Sequence, residues 1–371
     1  MRVCGCEFER LIAYHKRPSP WPARQQRSCV AANKFARFPR IFPNLRVAAR
    51  ALARQNYLVR MASQDSDISW TMLRRIVHDW LGTSAELEEV KRLEGGCVNT
   101  TLLLITKAGD RGVIKVSPHR VNRAYLTEAY QLNVLRTIGV PTPQVYASRL
   151  GSLDDPVSYL LMEYMEGVDL AAAKAQASPE EFDRLQMHLA DVMLAMHNNT
   201  HECYTRLTEG DRTEFTDWPA FYHHVYDAHW HECEKSNALP VKVKKTISRL
   251  HERLDRLLQH DDCPRLLHWD VWSTNILCKP DDSGRWWVTA MLDPNCKYAH
   301  AEAELAYMDL FKTTTPAFLR AYQQTRKLSP EYHSVRKPIY QLYELINHLN
   351  AFGAEYLKPV LAQVEKISAI V

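Results

Sequence analysis

The chain has 371 residues, of which 46% are hydrophobic and 24% are charged. This size can supply a substantial core and favours two domains or lobes, and no uncharged apolar run is long enough to span a bilayer. Residues 1–60 contain 13 Lys and Arg but only two acidic residues, so the rest of the chain is acidic although the whole carries +4. We therefore predict no nucleic-acid partner and no membrane partner for the folded part.

Residues 1–60 are rich in Arg, Pro and Ala and show no sustained apolar period. They are predicted to lie outside the folded part, either as an organellar transit peptide or as an over-extended start that precedes translation from Met61. The nine cysteines are scattered and form no Cys-x-x-Cys pair, which is typical of reduced thiols. We therefore predict a cytoplasmic protein, and an organellar one only if residues 1–60 are a transit peptide.

The first patterned region, residues 68–163, predicts a small α+β lobe. Ser69 can cap a helix that stops at Gly82. Alternating apolar residues then predict strands at Val90–Leu93, Val98–Thr106 and Val113–Val116. An amphipathic helix that carries Glu128 follows, and the region ends in a strand pair whose last member is Tyr159–Glu163.

Gly95 and Gly96 are predicted to form the turn between the first two strands. A glycine turn lets backbone N–H groups approach phosphate oxygens without an intervening Cβ, although most such hairpins are structural only. The chain has neither a G-x-x-x-x-G-K motif nor the full G-x-G-x-x-G of protein kinases. Cys97 follows the glycines, where N–H groups and a cation can favour the thiolate. Oxidation of Cys97 is therefore a hypothesis beside the simpler one of a small turn residue, and we expect a monomer or a redox-linked dimer.

Lys115 lies near the end of an otherwise apolar predicted strand, where a charged ammonium is costly unless it meets anions. Glu128 follows thirteen residues later in the predicted helix. In kinases such a lysine binds the α- and β-phosphates of ATP while a helix glutamate holds it in place. The alternative is an edge-strand lysine and an exposed helix glutamate. The polar connector after the last strand, with Glu163 and Met165, is the candidate hinge whose backbone would pair with adenine.

The second region, residues 164–371, is mainly helical in pattern. Apolar stripes predict core helices at Glu180–His197 and Thr246–Gln259. Between them lies a His-rich segment that contains His223, His224, His229, His231 and Cys233. His229 and Cys233 would share a helix face, so a zinc site is conceivable, but no second ligand pair of zinc spacing accompanies them. We favour an aromatic and His-rich surface near a cleft.

The most specific pattern is His268-x-Asp270 with Asn275 five residues after the aspartate, followed by a predicted hairpin that leads to Asp293. An alcohol needs a carboxylate within reach to orient it and accept its proton, and Asp270 is the candidate base. The oxygens of Asn275 and Asp293 suit Mg²⁺, which prefers hard oxygen donors beside phosphate oxygens. Together with the upstream lysine and glutamate, this order predicts an ATP- and Mg²⁺-dependent phosphotransferase.

Three segments carry a resemblance to a known family: Trp272 within HWDVWSTNIL, the run LDPNCKYAHAEAELAYMDLF, and YQLYELINHLNAFGAEY at Tyr340–Tyr356. From about Ile68 to its end the chain resembles the fructosamine kinase (ketosamine 3-kinase) family, within the superfamily of aminoglycoside phosphotransferases and choline kinases. The resemblance implies a two-lobed, protein-kinase-like α+β fold with lobes at 68–163 and 164–371. It also implies a deglycation kinase that phosphorylates the sugar 3-hydroxyl of ketosamines, with His268 and Trp272 as candidate substrate contacts.

The chain departs from the family pattern at two positions. Trp269 stands where the H-x-D motif usually has glycine, and Glu304 stands where the EADLA-like run has aspartate. We expect the bulky Trp269 to crowd the loop while leaving the base and the metal ligands intact.

The segment after Asp293 bears on the substrate. Only about eight residues separate Asp293 from the next predicted helix, Ala301–Phe311, too few for the activation segment that positions peptides in protein kinases. A small or protruding substrate is therefore favoured. A kinase for an aminoglycoside or a choline-like amine remains an alternative, as does an inactive nucleotide-binding scaffold.

Overall fold

The computed structural model describes residues 68–93, 100–210 and 212–370. They belong to one compact unit of the chain and form a sheet-based first lobe and a mainly helical second lobe. Residues 1–60 and the turn with Gly95, Gly96 and Cys97 lie outside the described residues, so the predictions made for them stay predictions. Within the described ranges, no helix combines the length and the apolar character needed to cross a membrane.

The first lobe is a five-stranded antiparallel sheet with strand order β1-β2-β3-β5-β4. Its elements are α1 (Trp70–Leu81), β1 (Leu87–Arg92), β2 (Thr100–Thr106), β3 (Arg111–Ser117), α2 (Ala124–Thr137), β4 (Val145–Arg149) and β5 (Ser158–Glu163). The predicted strands are confirmed within the described residues, with shifted ends. Ser69 caps α1 as predicted, because its Oγ accepts the Met72 N–H at 3.1 Å, and Gly82 ends the helix with a φ of 93°.

Alternation along the strands produces two small cores on opposite faces of this sheet. One core contains Ile114 and residues of α1, and the other contains Val113 and residues of α2. Because successive side chains point to opposite faces, Lys115 falls on the same face as Val113. The sheet therefore directs Lys115 toward the helix that carries Glu128.

The second lobe is mainly helical and holds the largest core. Its helices are α3 (Leu170–Gln176), α4 (Pro179–His197), α5 (Trp218–Lys235), α6 (Val241–His251), α7 (Leu254–Leu257), α8 (Ala301–Leu310), α9 (Pro316–Thr325), α10 (Lys337–Phe352) and α11 (Leu357–Ile367). Short 3₁₀ or π turns occur at Ser273–Asn275, Tyr332–Arg336 and Ala354–Tyr356. Its strands are β6 (Val168–Asp169), β7 (Tyr204–Arg206), β8 (Glu214–Phe215), β9 (Arg265–Leu267), β10 (Ile276–Pro280), β11 (Trp286–Met291) and β12 (Lys297–Ala299).

The predicted single helix at Thr246–Gln259 is wrong. The structure has α6, which ends at His251, and the separate short α7. Between them Arg253 donates its N–H to the Leu250 carbonyl, three residues back, at 2.9 Å. This tighter turn interrupts the helix, and Leu250 and Leu254 on either side of it remain fully buried.

The aromatic residues of α5 do not form the predicted surface. Phe221, Tyr222, Tyr226 and Trp230 are buried. Tyr222 and Tyr226 pack against Tyr343 of α10, with ring centroids 5.4 and 5.8 Å apart. The aromatic stripe therefore belongs to the core of the second lobe.

Polar contacts fasten α2 to the second lobe. The buried Gln131 of α2 donates from Nε2 to the Leu207 carbonyl at 2.8 Å and accepts the Cys296 N–H at 3.0 Å. Nearby, the Met291 N–H donates to the Pro141 carbonyl at 2.7 Å. These bonds hold the helix that carries Glu128 beside the end of β11, from which the chain runs on to Asp293.

Candidate active site

Lys115 connects the two lobes through two carboxylates. Its Nζ lies 2.6 Å from Glu128 Oε1 on α2 and also forms a short ion pair with Asp293 Oδ1. Lys115 is only 5% exposed. The structure thus brings together three residues that are up to 178 positions apart in the chain.

The charge of Lys115 is set by a balance of burial and ion pairing. Burial by itself would lower the pKa of Lys115, but Glu128 and Asp293 outweigh it and hold the pKa above its usual value. The ammonium therefore stays charged. A buried cation at this position can bind phosphate oxygens when a nucleotide enters.

Both oxygens of the Asp270 carboxylate accept hydrogen bonds. Tyr307 of α8 donates its hydroxyl to Oδ1 at 2.5 Å, and Asn275 donates from Nδ2 to Oδ2 at 3.0 Å. Burial, followed by the charge of Asp270, raises the pKa of Tyr307, so its hydroxyl remains a donor. The carboxylate is thereby held in one orientation.

The loop between β9 and β10, which carries Asn275, is hydrogen-bonded to the segment after β11 that carries Asp293. The Leu292 N–H donates to the Asn275 carbonyl at 2.8 Å, and the Asn295 N–H donates to the His268 carbonyl at 2.9 Å. These bonds dock the start of the Asp293 segment onto the loop. The Asp293 side chain is 45% exposed, so its carboxylate remains accessible from solvent.

The donor set fits a magnesium ion. Asn275 uses its amide nitrogen on Asp270, which leaves its amide oxygen as a neutral donor. Asp293 adds an accessible, charged oxygen. Hard oxygen donors of this kind, few in number and completed by phosphate oxygens and water, are what Mg²⁺ prefers.

Trp269 adopts a backbone conformation that suits glycine. Its φ is 67°, in the left-handed region that side chains other than glycine rarely occupy. The Trp269 N–H donates to Glu304 Oε1 at 2.5 Å, while Glu304 Oε2 pairs with His197 Nε2 at 2.8 Å. The other ring nitrogen of His197, Nδ1, hydrogen-bonds to the Tyr322 hydroxyl at 2.7 Å. The two family departures are therefore in direct contact, and Glu304 supports the strained backbone of Trp269.

We predicted that the Trp269 side chain would crowd the loop, but its indole packs elsewhere. The hydrogen bonds of Asp270 described above are intact, and the indole instead covers the buried Lys297, whose Nζ lies 4.4 Å from the ring centroid. Burial lowers the pKa of Lys297. The cavity that remains between Trp269, Tyr226 and Tyr307 encloses only about 10 Å³, which is room for one water at most.

The two candidate substrate contacts differ in position. His268 is fully buried, neither ring nitrogen makes a hydrogen bond of normal geometry among the described residues, and burial lowers its pKa. Burial of the ring does not favour a substrate contact, and the contact of His268 stays a prediction. Trp272 is half-buried and stands two residues beyond Asp270, so it stays a candidate.

The predicted hinge joins β5 to β6. Glu163 pairs with Gln144 through both its backbone N–H, at 2.8 Å, and its carboxylate, at 3.0 Å, and Met165 is half-buried. Gly167 follows with a φ of 149°, and a Cβ there would approach the Cys278 carbonyl to 2.8 Å. Only glycine allows this close approach of the connector to β10. The adenine contacts of Glu163 and Met165 stay a prediction.

Two site residues were not assigned from the sequence. Tyr307 and Glu304 lie three residues apart on α8, within the same run that carries the family resemblance. Their spacing places them on one helix face, so the sequence could have suggested that both contact the same loop. Their contacts with the loop depend on how α8 packs, which the sequence does not specify.

Comparison with known proteins identifies similar sequences. Residues 69–369 match the family model described as fructosamine kinase. A protein-ribulosamine 3-kinase from Oryza sativa subsp. indica, named as chloroplastic, is 25% identical over 340 residues, which cover 87% of this chain and 92% of that protein. A probable ketoamine kinase from Enterococcus faecium is 30% identical over 272 residues, which cover 71% of this chain and 89% of that protein.

Solved structures share the fold. A candidate fructosamine-3-kinase from Thermobifida fusca superposes with a TM-score of 0.64 at 22% identity and covers 80% of this chain and 99% of its own. The aminoglycoside phosphotransferase APH(4)-Ia, in a ternary complex with AMP-PNP and hygromycin B, gives a TM-score of 0.58 at 17% identity, with 79% and 98% covered. The predicted two-lobed, kinase-like α+β fold is confirmed.

Proposed function

The chain belongs to the fructosamine kinase family, and from this premise we propose that it transfers the γ-phosphate of ATP to the sugar 3-hydroxyl of a ketosamine. The relatives' names supply the substrate class. Fructosamine and ribulosamine adducts of lysine, free or on proteins, fit a site without a peptide-positioning segment, because only the sugar must enter.

The observation that carries the proposal is the meeting of two groups of residues from different lobes. Lys115, fixed by Glu128, would bind the phosphates of ATP. Asp270, oriented by Tyr307 and Asn275, would accept the proton of the sugar hydroxyl as it attacks phosphorus. Asp293 links the two groups, since it contacts Lys115 and its segment is hydrogen-bonded to the loop through Leu292 and Asn295.

Asn275 and Asp293 are the proposed ligands of Mg²⁺. When bound, the ion would neutralise charge on the phosphate oxygens. The role of Lys115 differs, because its buried ammonium offers hydrogen-bond donors as well as charge. Trp272 is the proposed contact for the sugar or for its amine.

A substrate panel tests the proposed specificity. We expect ADP release from ATP and Mg²⁺ with ribulosyl-lysine or fructosyl-lysine, and none above background with kanamycin or choline. Turnover of kanamycin or choline alone would favour a small-amine kinase. No turnover of any substrate, combined with nucleotide binding, would favour an inactive scaffold. Phosphorus NMR of the product would identify the modified hydroxyl.

The Asp270→Asn variant tests the proposed base. Since the amide cannot accept the proton, we expect kcat to fall about 10²–10⁴-fold, with ATP affinity largely unchanged. Isothermal titration with a non-hydrolysable ATP analogue measures the affinity independently. Retained turnover would refute the assignment of Asp270.

A further inference from the structure

The His-rich segment on α5 contributes nothing to the proposed phosphotransfer. The pair of His229 and Cys233, which the sequence did not favour as a zinc site, gains no support, because Cys233 is fully buried and burial raises the pKa of its thiol to about 11. A different set of ligands comes together instead. His223 and Asp227 lie one turn apart on α5, and His251 reaches them from the last residue of α6.

The three side chains have a spacing that suits a metal ion. His223 Nδ1 lies 2.8 Å from Asp227 Oδ1, and His251 Nε2 lies 3.4 Å from the same oxygen. All three ligand atoms lie within 4.8 Å of one another. A tetrahedral Zn²⁺ with bonds of about 2.0–2.1 Å separates its ligand atoms by about 3.3 Å. Small side-chain rotations would therefore bring this set into coordination.

Each histidine also has a partner for its other ring nitrogen. His251 Nδ1 lies 2.7 Å from the Tyr343 hydroxyl, and His223 Nε2 lies 3.4 Å from Asp255 Oδ1. Metal-binding histidines are usually oriented in this way, because the second hydrogen bond fixes the tautomer and the direction of the ring. The arrangement leaves Nδ1 of His223 and Nε2 of His251 turned toward Asp227.

Accessibility and charge favour a cation at this position. The side chains of His223, Asp227 and His251 are 23%, 40% and 18% exposed, so an ion can enter and a water can complete its coordination. The carboxylates of Asp227 and the adjacent Asp255 lie beside the two imidazole rings and attract a cation.

We propose that His223, Asp227 and His251 bind a divalent transition-metal ion such as Zn²⁺ and thereby tie α5 to the end of α6. Two imidazoles and one carboxylate select Zn²⁺ or Co²⁺ over Mg²⁺ and Ca²⁺, which prefer all-oxygen sites. The site stabilises the helical lobe and is separate from the proposed Mg²⁺ ligands. Tyr343, which hydrogen-bonds to His251, is followed in the chain by Glu344. Glu344 accepts a hydrogen bond from the Tyr226 hydroxyl, and both residues line the small cavity at Trp269.

Zinc titration of the full-length, metal-depleted protein tests the proposal. By competition with a chromogenic zinc indicator, the wild type is expected to bind one equivalent that is lost in His223→Ala and in Asp227→Asn. The affinity should fall more than about 100-fold, since loss of an outer partner alone typically costs about 10–100-fold. Tyr343→Phe, which removes only such a partner, should show an intermediate loss.

His229→Ala is the matched control, because His229 lies on the same helix outside the cluster. It should bind zinc as the wild type does. Zn²⁺ should raise the Tm of the wild type and of this control by at least about 2 °C, while Mg²⁺ leaves it unchanged. Co²⁺ should give the visible absorption of a tetrahedral site in the wild type and in His229→Ala. The same absorption should be missing in His223→Ala and in Asp227→Asn.

Two results would overturn the proposal. One is a wild type that binds no zinc at micromolar concentration, which would leave a plain ion-pair network. The other is an equivalent retained in both His223→Ala and Asp227→Asn, which would place the zinc elsewhere, for example on the exposed Cys263. If His223→Ala fails to fold by circular dichroism, Asp227→Asn decides the outcome, because its exposed carboxylate is replaced by an isosteric amide.

Discussion

At the scale of single residues, the candidate site depends on side chains that orient others. Tyr307 and Asn275 fix the Asp270 carboxylate, and Glu304 fixes the backbone of Trp269. Such pre-orientation lowers the reorganisation needed during reaction. Glutamate at position 304 reaches both the loop and His197, which a side chain one methylene shorter would do less readily.

Replacing Tyr307 by Phe removes one hydrogen bond to Asp270. Because a hydrogen bond to a charged group contributes about 1.5–3 kcal/mol, we expect kcat to fall roughly 10–100-fold, with a small change in KM for ATP. Steady-state kinetics would measure both. Tyr130→Phe, on α2 and not a hydrogen-bond partner of Asp270, should behave as the wild type; equal losses in the two variants would contradict a positioning role for Tyr307.

Replacing Glu304 by Ala leaves buried polar groups of Trp269 and His197 without partners. We expect the free energy of unfolding to fall by about 2–4 kcal/mol, measured by urea denaturation. Glu304→Asp should lose less. Glu365→Ala, at an exposed position of α11, should change the free energy by under about 0.5 kcal/mol. A loss below about 1 kcal/mol in Glu304→Ala would argue against the network.

At the scale of elements, α2 is the part that connects the lobes. One side of it forms the second core of the sheet, Glu128 points from it to Lys115, and Gln131 fastens it to the second lobe. The position of Lys115 is therefore coupled to the position of α2. The short β6, which pairs with β10, provides the other connection at the hinge.

Replacing Gln131 by Leu removes both of its buried hydrogen bonds. The Leu207 carbonyl and the Cys296 N–H would lose their partners, and we expect unfolding to require about 2–4 kcal/mol less free energy. Thermal or urea denaturation would show it. Gln259→Leu, on the surface after α7, is the control and should change little. If the two variants had equal stability, Gln131 would not hold the lobes together.

At the scale of the whole molecule, the second lobe holds several buried or half-buried histidines whose pKa values are lowered. Burial lowers the pKa of His260 to about 4 and lowers those of His268 and His300 as well. His260 and His300 stack with ring centroids 3.5 Å apart. Protonation of either ring would place a positive charge next to the other ring and next to Arg336. The stacked pair and Arg336 therefore disfavour protonation of both histidines.

We expect the protein to lose stability as the pH falls from about 6.5 to 5. The unfolded histidines titrate near 6.5, above their folded values, so the unfolded chain binds more protons in this interval and is favoured. Each proton taken up contributes a slope of about 1.4 kcal/mol per pH unit at most. Urea denaturation at several pH values measures the slope, which His260→Asn should reduce. A free energy of unfolding independent of pH in this interval would contradict neutral burial.

The sequence by itself determined the local elements and the identity of the motif. Ser69, Gly82 and the strand alternation predicted the first lobe, because capping and period-two patterning are local properties. The order of Lys115, Glu128, Asp270, Asn275 and Asp293 indicated a phosphotransferase. Each of the motifs that contain these residues lies within a short segment and can be read locally. The leader, the compartment and the turn at Gly95, Gly96 and Cys97 stay predictions.

Only the tertiary structure decided which distant residues meet. The burial of His268 and the contacts of Tyr307 and Glu304 depend on how α8 packs against the loop. The set of His223, Asp227 and His251 depends on how α6 ends beside α5, so the spacing along α5 alone could not reveal it. These contacts follow from long-range packing, in which side chains far apart in the chain share one buried surface. Local sequence patterns do not specify which distant residues will pack together.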